Sequence, residues 1–152
     1  MAKENVMNIA ALREELKFDE GIKYEIYLDH LGLKTCGIGH LCVAGEPEFN
    51  QEVGEEVAET RVFELFSKDM EKTIDECTVL YSDFADLPEE VKRIIANMMF
   101  NMGRPRLSKF KGMKAQVDAR NWKKAADEMV DSKWYEQVPN RAKRLVERMR
   151  NV

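Results

Sequence analysis

A chain of 152 residues, 44% apolar and 34% charged, is long enough to bury a real core, and its composition reads as globular rather than disordered. No apolar run approaches the ~20 residues that span a bilayer, and charges interrupt every N-terminal stretch that could serve as a secretory leader, so a cytoplasmic product is expected. The net charge of −4 divides unevenly: residues 1–102 carry 10 Lys/Arg against 22 Asp/Glu, residues 103–152 carry 14 against 6.

Residues 1–7 read as a flexible extension of a single domain covering 1–152. Ile9, Leu12 and Leu16 then share one helical face, which predicts a helix over 8–19 ended by Gly21. The period changes to two at Tyr24, Ile26 and Leu28, and Gly32, Gly37, Gly39 and Gly45 punctuate the stretch beyond Leu28. Residues 22–50 are therefore expected to form a small antiparallel sheet, completing a mixed N-terminal lobe over 8–50. From Gln51 the helical period returns. Val57, Val62, Leu65, Phe66 and Met70 predict a long connecting helix over 52–77. A helical lobe over 78–152 completes the chain. Pro88 is expected as the first residue of an apolar helix running to Gly103. Ser108, Asn121 and Asn140 are expected to cap three further helices. The fold class is α+β, with a Gly-rich antiparallel lobe and a larger helical lobe joined by a long helix and a cleft expected between them.

Cys36, Cys42 and Cys77 make an odd count without framework spacing, which fits free thiols in a reducing compartment. The acidic residues are more informative. Glu20 falls at the end of the first helix, where the negative end of the dipole suits a proton donor. Asp29 comes nine residues later at the end of the first strand, and Thr35 six residues after that. Two carboxyl groups flanking one bond, one donating a proton and one activating water, are what glycoside hydrolysis requires.

The stretch DEGIKYEIYLDHLGLKTCGIGH, residues 19–40, resembles the catalytic segment of the T-even phage lysozyme family, glycoside hydrolase family 24. NMMFNMG at 97–103 is similar to that family's helix on the cleft floor, and SKWYEQVPNRAKR at 132–144 to its C-terminal signature. The resemblance covers roughly residues 7–150. It implies a lysozyme-like fold and a muramidase that cleaves the β-1,4 bond between N-acetylmuramic acid and N-acetylglucosamine with inversion. Glu20 would be the general acid, Asp29 the opposing carboxylate and Thr35 a residue that positions water. The carboxyls of an inverting enzyme stand about 6.5–9.5 Å apart. Arg141 would pair with Glu20, pulling against the helix dipole, and His40 with Asp69. Leu41, Phe100 and Asn101 would face the substrate. The resemblance implies no cofactor and no metal, peptidoglycan as the polymer bound, a monomer, and no stable membrane association. It also implies release from the host cytoplasm to the wall through a holin-type lesion, or carriage in the virion as the alternative. This chain departs from the family where Asn101 replaces a longer amide, where residues 43–53 are abbreviated, at Cys36, and in the basic RPRLSKF of 104–110.

Other chemistries compete. His30, Cys36, His40 and Cys42 offer four zinc-type ligands, though not at Cys-x-x-Cys spacing. Lys109, Lys111, Lys114, Arg120, Lys123 and Lys124 with Phe110 and Trp122 could form a nucleic-acid surface, but Phe110, Met113 and Trp122 fall at core-facing positions, so nucleic acid is not the expected partner. A lytic transglycosylase needs the Glu alone; the presence of Asp29 and Thr35 argues for hydrolysis.

Overall fold

Leu12 and Leu16 are fully buried on the inward face of α1, which spans Ile9–Glu20. Asn8 holds its start: Oδ1 accepts from the Ala11 N–H at 3.0 Å. Gly21, at φ +72°, adopts the left-handed backbone that ends it, its N–H closing on the Lys17 carbonyl at 3.0 Å. The computed structural model describes residues 6–152. They form two compact units, residues 13–72, and residues 6–12 with 73–152. The expected extension over 1–7 is corrected at its inner end. Val6 and Met7 are buried apolar residues, and the Lys92 ammonium donates to the Val6 carbonyl at 2.6 Å. Residues 1–5 lie outside the described residues.

In the unit of residues 13–72, a three-stranded antiparallel sheet runs β1 (Lys23–Leu28), β2 (Lys34–Gly37), β3 (His40–Leu41) in that order. Its register pairs Tyr27 with Thr35, Leu28 with Lys34, and Thr35 with Leu41. The alternation in β1 holds at one position only: Ile26 is buried, whereas Tyr24 and Leu28 are 42% and 53% exposed. The pairing with β2 is irregular between Lys23 and Tyr27, and over that stretch β1 is also bonded along its other edge. There Ile26 N–H reaches the Glu55 carbonyl (2.9 Å), Gly54 N–H the Ile26 carbonyl (2.8 Å) and Val57 N–H the Tyr24 carbonyl (2.9 Å). Residues 54–57 thus cover an edge that would otherwise invite pairing.

That use of 54–57 corrects the long helix. The periodicity predicts it over 52–77, but α2 spans Glu59–Leu80, because the preceding segment is committed to β1. Val62, Leu65, Phe66 and Met70 are buried along it as the period requires. In the same unit Glu48 is 4% exposed and receives both Nε and Nη2 of Arg61, each at 2.9 Å. A bidentate guanidinium is the partner a buried carboxylate needs.

The other unit is helical. Its centre is α3 (Glu89–Met102), on which eight residues from Val91 to Met102 are buried. Pro88 sits at the position just before the helix rather than as its first residue. Gly103, at φ +80°, turns the chain into a four-residue helix, α4 (Arg104–Leu107). Then come α5 (Lys111–Asp118), α6 (Trp122–Val130), α7 (Lys133–Gln137) and α8 (Pro139–Arg150). Asn121 caps α6 as expected, accepting from the Lys124 N–H at 3.3 Å. Ser108 does not cap α5. It closes α4, with its hydroxyl donating to the Pro105 carbonyl at 2.9 Å. Asn140 does not cap α8 either, because Pro139 already begins that helix. No helix among the described residues is long and apolar enough to cross a membrane.

Candidate active site

Glu20 is the last residue of α1 and is half-buried. The hairpin from β2 to β3 brings the backbone of Gly39 against its carboxyl. A Cβ on Gly39 would lie 2.6 Å from Glu20 Oε1 and 3.0 Å from Cδ. Gly39 also sits at φ +61°. A side chain there would strain the backbone and push the Glu20 carboxyl aside, so the second glycine of Gly-Ile-Gly-His forms one wall around the acid.

Asp29 lies just past β1 and organises the turn into β2. Its Oδ1 accepts from the N–H groups of Leu31 (2.8 Å) and Leu33 (2.9 Å), while its own N–H donates to the Leu33 carbonyl at 2.9 Å. No hydrogen bond from another described residue reaches Oδ2. The Leu33 carbonyl also accepts the Thr35 hydroxyl at 3.0 Å. One residue's backbone therefore ties Asp29 and Thr35 together. With its hydrogen committed to Leu33, the Thr35 hydroxyl presents lone pairs to any further partner. Thr35 is buried and pairs in register with Leu41, whose side chain is 46% exposed at the end of β3.

Tyr27 is a neighbour of the site that the spacing argument does not identify. Burial first, then the charges of Glu20, Cys36 and Asp29, raise its hydroxyl above the usual phenol range. It therefore senses both carboxylates. Its place between Glu20 and Asp29 in the alternating strand is the available signal. The Lys23 ammonium lies 4.3 Å from its ring centroid.

His40, next to Gly39, is gripped from both sides. Nδ1 donates to Asp69 Oδ2 at 2.7 Å, the pairing the resemblance implies. Nε2 donates to Glu46 Oε1 and Oε2 at 2.9 and 3.0 Å, and Glu46 also accepts from the Val43 N–H at 2.9 Å. Sequence reasoning misses Glu46 because it lies in a loop with no periodicity. With both His40 nitrogens engaged, the zinc reading loses a ligand. Cys36 and Cys42 stand 3.8 Å apart as buried free thiols, His30 is exposed, and no group of three ligands converges among the described residues.

In the helical unit the remaining expected residues sit on or near α3. Asn101 Oδ1 accepts the Trp134 indole N–H at 2.9 Å, and Trp134 meets Phe110 edge-on at 6.3 Å. Phe100 and Asn101 are half-buried. Arg141 is buried, and its Nε donates to Oδ1 of the fully buried Asn97 at 2.8 Å. Phe110 and Trp122 are half-buried and Met113 is buried, so these side chains serve packing.

The sequence model of the phage lysozyme family matches residues 17–151. Among curated proteins, the chain is 30% identical to "Probable T4-type lysozyme 2" of Dictyostelium discoideum, over 91% of this chain and 92% of that one. It is 28% identical to the pre-baseplate central spike protein Gp5 of Enterobacteria phage T4, over 89% of this chain and 27% of the spike protein. It is also 28% identical to the peptidoglycan hydrolase gp36 of Pseudomonas phage phiKMV, over 98% of this chain and 16% of that hydrolase. The chain belongs to the phage lysozyme family and is a glycoside hydrolase of lysozyme type.

Proposed function

We propose that the enzyme hydrolyses the β-1,4 bond between N-acetylmuramic acid and N-acetylglucosamine in peptidoglycan, with inversion at the anomeric carbon. Glu20 donates a proton to the leaving oxygen. Water attacks from the opposite face, giving up one hydrogen bond to Thr35 and its proton to Asp29 Oδ2. The observation that carries this reading is the network through Leu33. It uses one Asp29 oxygen and the Thr35 hydrogen for structure, and leaves the other oxygen and the hydroxyl lone pairs as acceptors for one water. As the positive charge of the transition state develops, a second carboxylate stabilises it. Gly39 fixes the position of Glu20, while Leu41, Phe100 and Asn101 contact sugar. His40 and Asp69 support the turn that carries Gly39, Arg141 is held by Asn97, and Tyr27 borders the acid.

In the same reading the enzyme acts as a monomer in host lysis, reaching the wall from the cytoplasm once the membrane is breached. The similarity to a phage spike protein supports a second role, a wall-opening enzyme carried in the virion. Digestion of purified peptidoglycan with the new ends identified tests the reaction. Reducing N-acetylmuramic acid in the α configuration is expected. An anhydro-sugar would make the enzyme a transglycosylase, a reducing N-acetylglucosamine end would move the cleaved bond, and a β anomer would overturn inversion.

A further inference from the structure

Cys36 and Cys42 are buried, at 0% and 5% exposure, and their sulfurs stand 3.8 Å apart. They lie away from the catalytic groups. Thr35 pairs in register with Tyr27 and Leu41, so those three side chains share one face of the sheet. Cys36 and Cys42 each follow one residue later and point to the opposite face. Cys36 is in register with His40, and the Cys42 N–H holds the Lys34 carbonyl at 3.0 Å.

The two thiols bracket the turn that shapes the acid. Between them run Gly37, Ile38, Gly39, His40 and Leu41, with Gly39 against the Glu20 carboxyl and His40 gripped by Asp69 and Glu46. Small apolar side chains would fill the same space in the core. What they cannot do is join, and here joining needs little motion: a disulfide holds its sulfurs at about 2.05 Å, so the two close by about 1.8 Å. Cys77, on α2, is buried without a sulfur partner among the described residues and offers no such step.

We propose that Cys36 and Cys42 are a redox modification site, closing to a disulfide when the chain meets a low-molecular-weight disulfide such as oxidised glutathione, and that the bridge locks the turn behind the acid without stopping turnover. The Cys42 thiolate attacks one sulfur of oxidised glutathione, forms a mixed disulfide and releases one glutathione. The Cys36 thiolate then attacks the Cys42 sulfur and releases the second. One S–S bond breaks and one forms, and the two electrons and two protons lost by the cysteines leave on the two glutathiones. Burial holds both sulfurs as neutral thiols, so exchange proceeds through local opening. Cys42 lies just past β3, whose two residues give that edge of the sheet little to hold it closed.

For the test, reduced and unfolded full chain is refolded in a buffer of oxidised and reduced glutathione and, in parallel, in reduced glutathione alone. Peptide mapping by mass spectrometry is expected to find Cys36 joined to Cys42, lighter by two hydrogens, in the first sample only. Urea unfolding then compares the two forms. Loop-closure entropy for a ring this short allows a gain of about fiftyfold in the folding constant, and a gain of at least about tenfold is expected. Wall-clearing rates of the two forms should agree within about twofold, a negligible change in barrier, because the bridge forms on the face away from Thr35. Folded chain that keeps both thiols free, or that bridges Cys77 instead, would overturn the site. A bridge that leaves the folding constant unchanged or lowers it would overturn the lock, as would inactivation on oxidation. Cys42→Ala should abolish the gain while keeping Cys36 and Cys77; a gain that persists there would overturn the pairing. The mapping, made on the unaltered chain, does not depend on that variant folding. Absence of clearing by the reduced form as well would count against the reaction assignment and leave the mapping and unfolding results standing.

Discussion

Replacing Glu46 by Gln removes one of the two carboxylates that grip His40 and leaves the shape of the loop intact. In the wild type both ring nitrogens donate to carboxylates, an arrangement only the imidazolium can make. Burial alone would lower the His40 pKa, but the hydrogen bonds from Asp69 and Glu46 outweigh it and raise the pKa above its ordinary 6.5. Burial likewise works to raise Glu46, but His40 and the Val43 N–H outweigh it and hold Glu46 below its ordinary 4.5. A raised His contributes stability that is fully present below pH 6.5 and is lost as pH rises through its folded value. A depressed Glu contributes above pH 4.5 and loses its contribution as pH falls through its folded value. Between those limits the pair is at full strength.

The three side chains are between 10% and 26% exposed, so solvent screens the contact only partly. A hydrogen bond to a charged group contributes about 1.5–3 kcal/mol, and the substituted amide would retain about 1 kcal/mol of it as a neutral acceptor. The expected loss is about 1–2 kcal/mol, or about 3–6 °C in Tm for a chain of this size. Thermal unfolding followed by circular dichroism at about pH 5.5 and about pH 9 measures it. The Tm deficit of Glu46→Gln should be present at the lower pH and mostly gone at the higher. An equal deficit at both, or none at the lower pH, would refute the doubly bonded imidazolium.

Three other perturbations probe separate parts of the structure. Gly39→Ala forces a left-handed residue and drives a methyl group onto the Glu20 carboxyl, so it should cost about 1–3 kcal/mol of stability and lower kcat at least about tenfold, readable by melting and turnover on wall suspensions. Arg61→Met strands the buried Glu48 carboxylate and should cost about 3 kcal/mol by urea unfolding, with the loss shrinking as acid protonates Glu48, whose pKa Arg61 holds below its ordinary value. Burial pushes the Cys36 thiol up to about 12 and Cys77 higher still, so native protein at about pH 8 should react slowly with a thiol reagent and denatured protein should react rapidly at Cys36, Cys42 and Cys77 alike.

The elements legible in the sequence are those whose signal is local. Leu12 and Leu16 repeat at helical spacing and Gly21 stands just beyond, so the pattern places α1 to within a residue at each end. The Val62-to-Met70 stripe announces α2, but not its start. The residues before it pair with β1 across a sequence separation of about thirty, and nothing in 52–58 reports that partner. Caps depend on what competes with them. Asn121 has no rival, whereas Pro139 pre-empts Asn140 and a short α4 claims Ser108.

The candidate site divides along the same line. Glu20, Asp29 and Thr35 stand out because side chains of that chemistry at that spacing are informative. The Leu33 backbone that joins two of them acts through atoms that every residue carries, which a sequence does not distinguish from any other. Glu46 needs a fold to bring an aperiodic loop back to His40.

We propose that Glu20 is the proton donor of a cell-wall glycosidase. Its most direct test is turnover of purified peptidoglycan by the wild type and by Glu20→Gln, with melting curves confirming that both are folded. Release of reducing ends by the wild type is expected, with a loss of about a thousandfold or more in the variant, in the upper part of what general acid catalysis contributes. A folded Glu20→Gln enzyme retaining activity within about tenfold of the wild type would contradict it, and would move the search for the acid to another carboxyl.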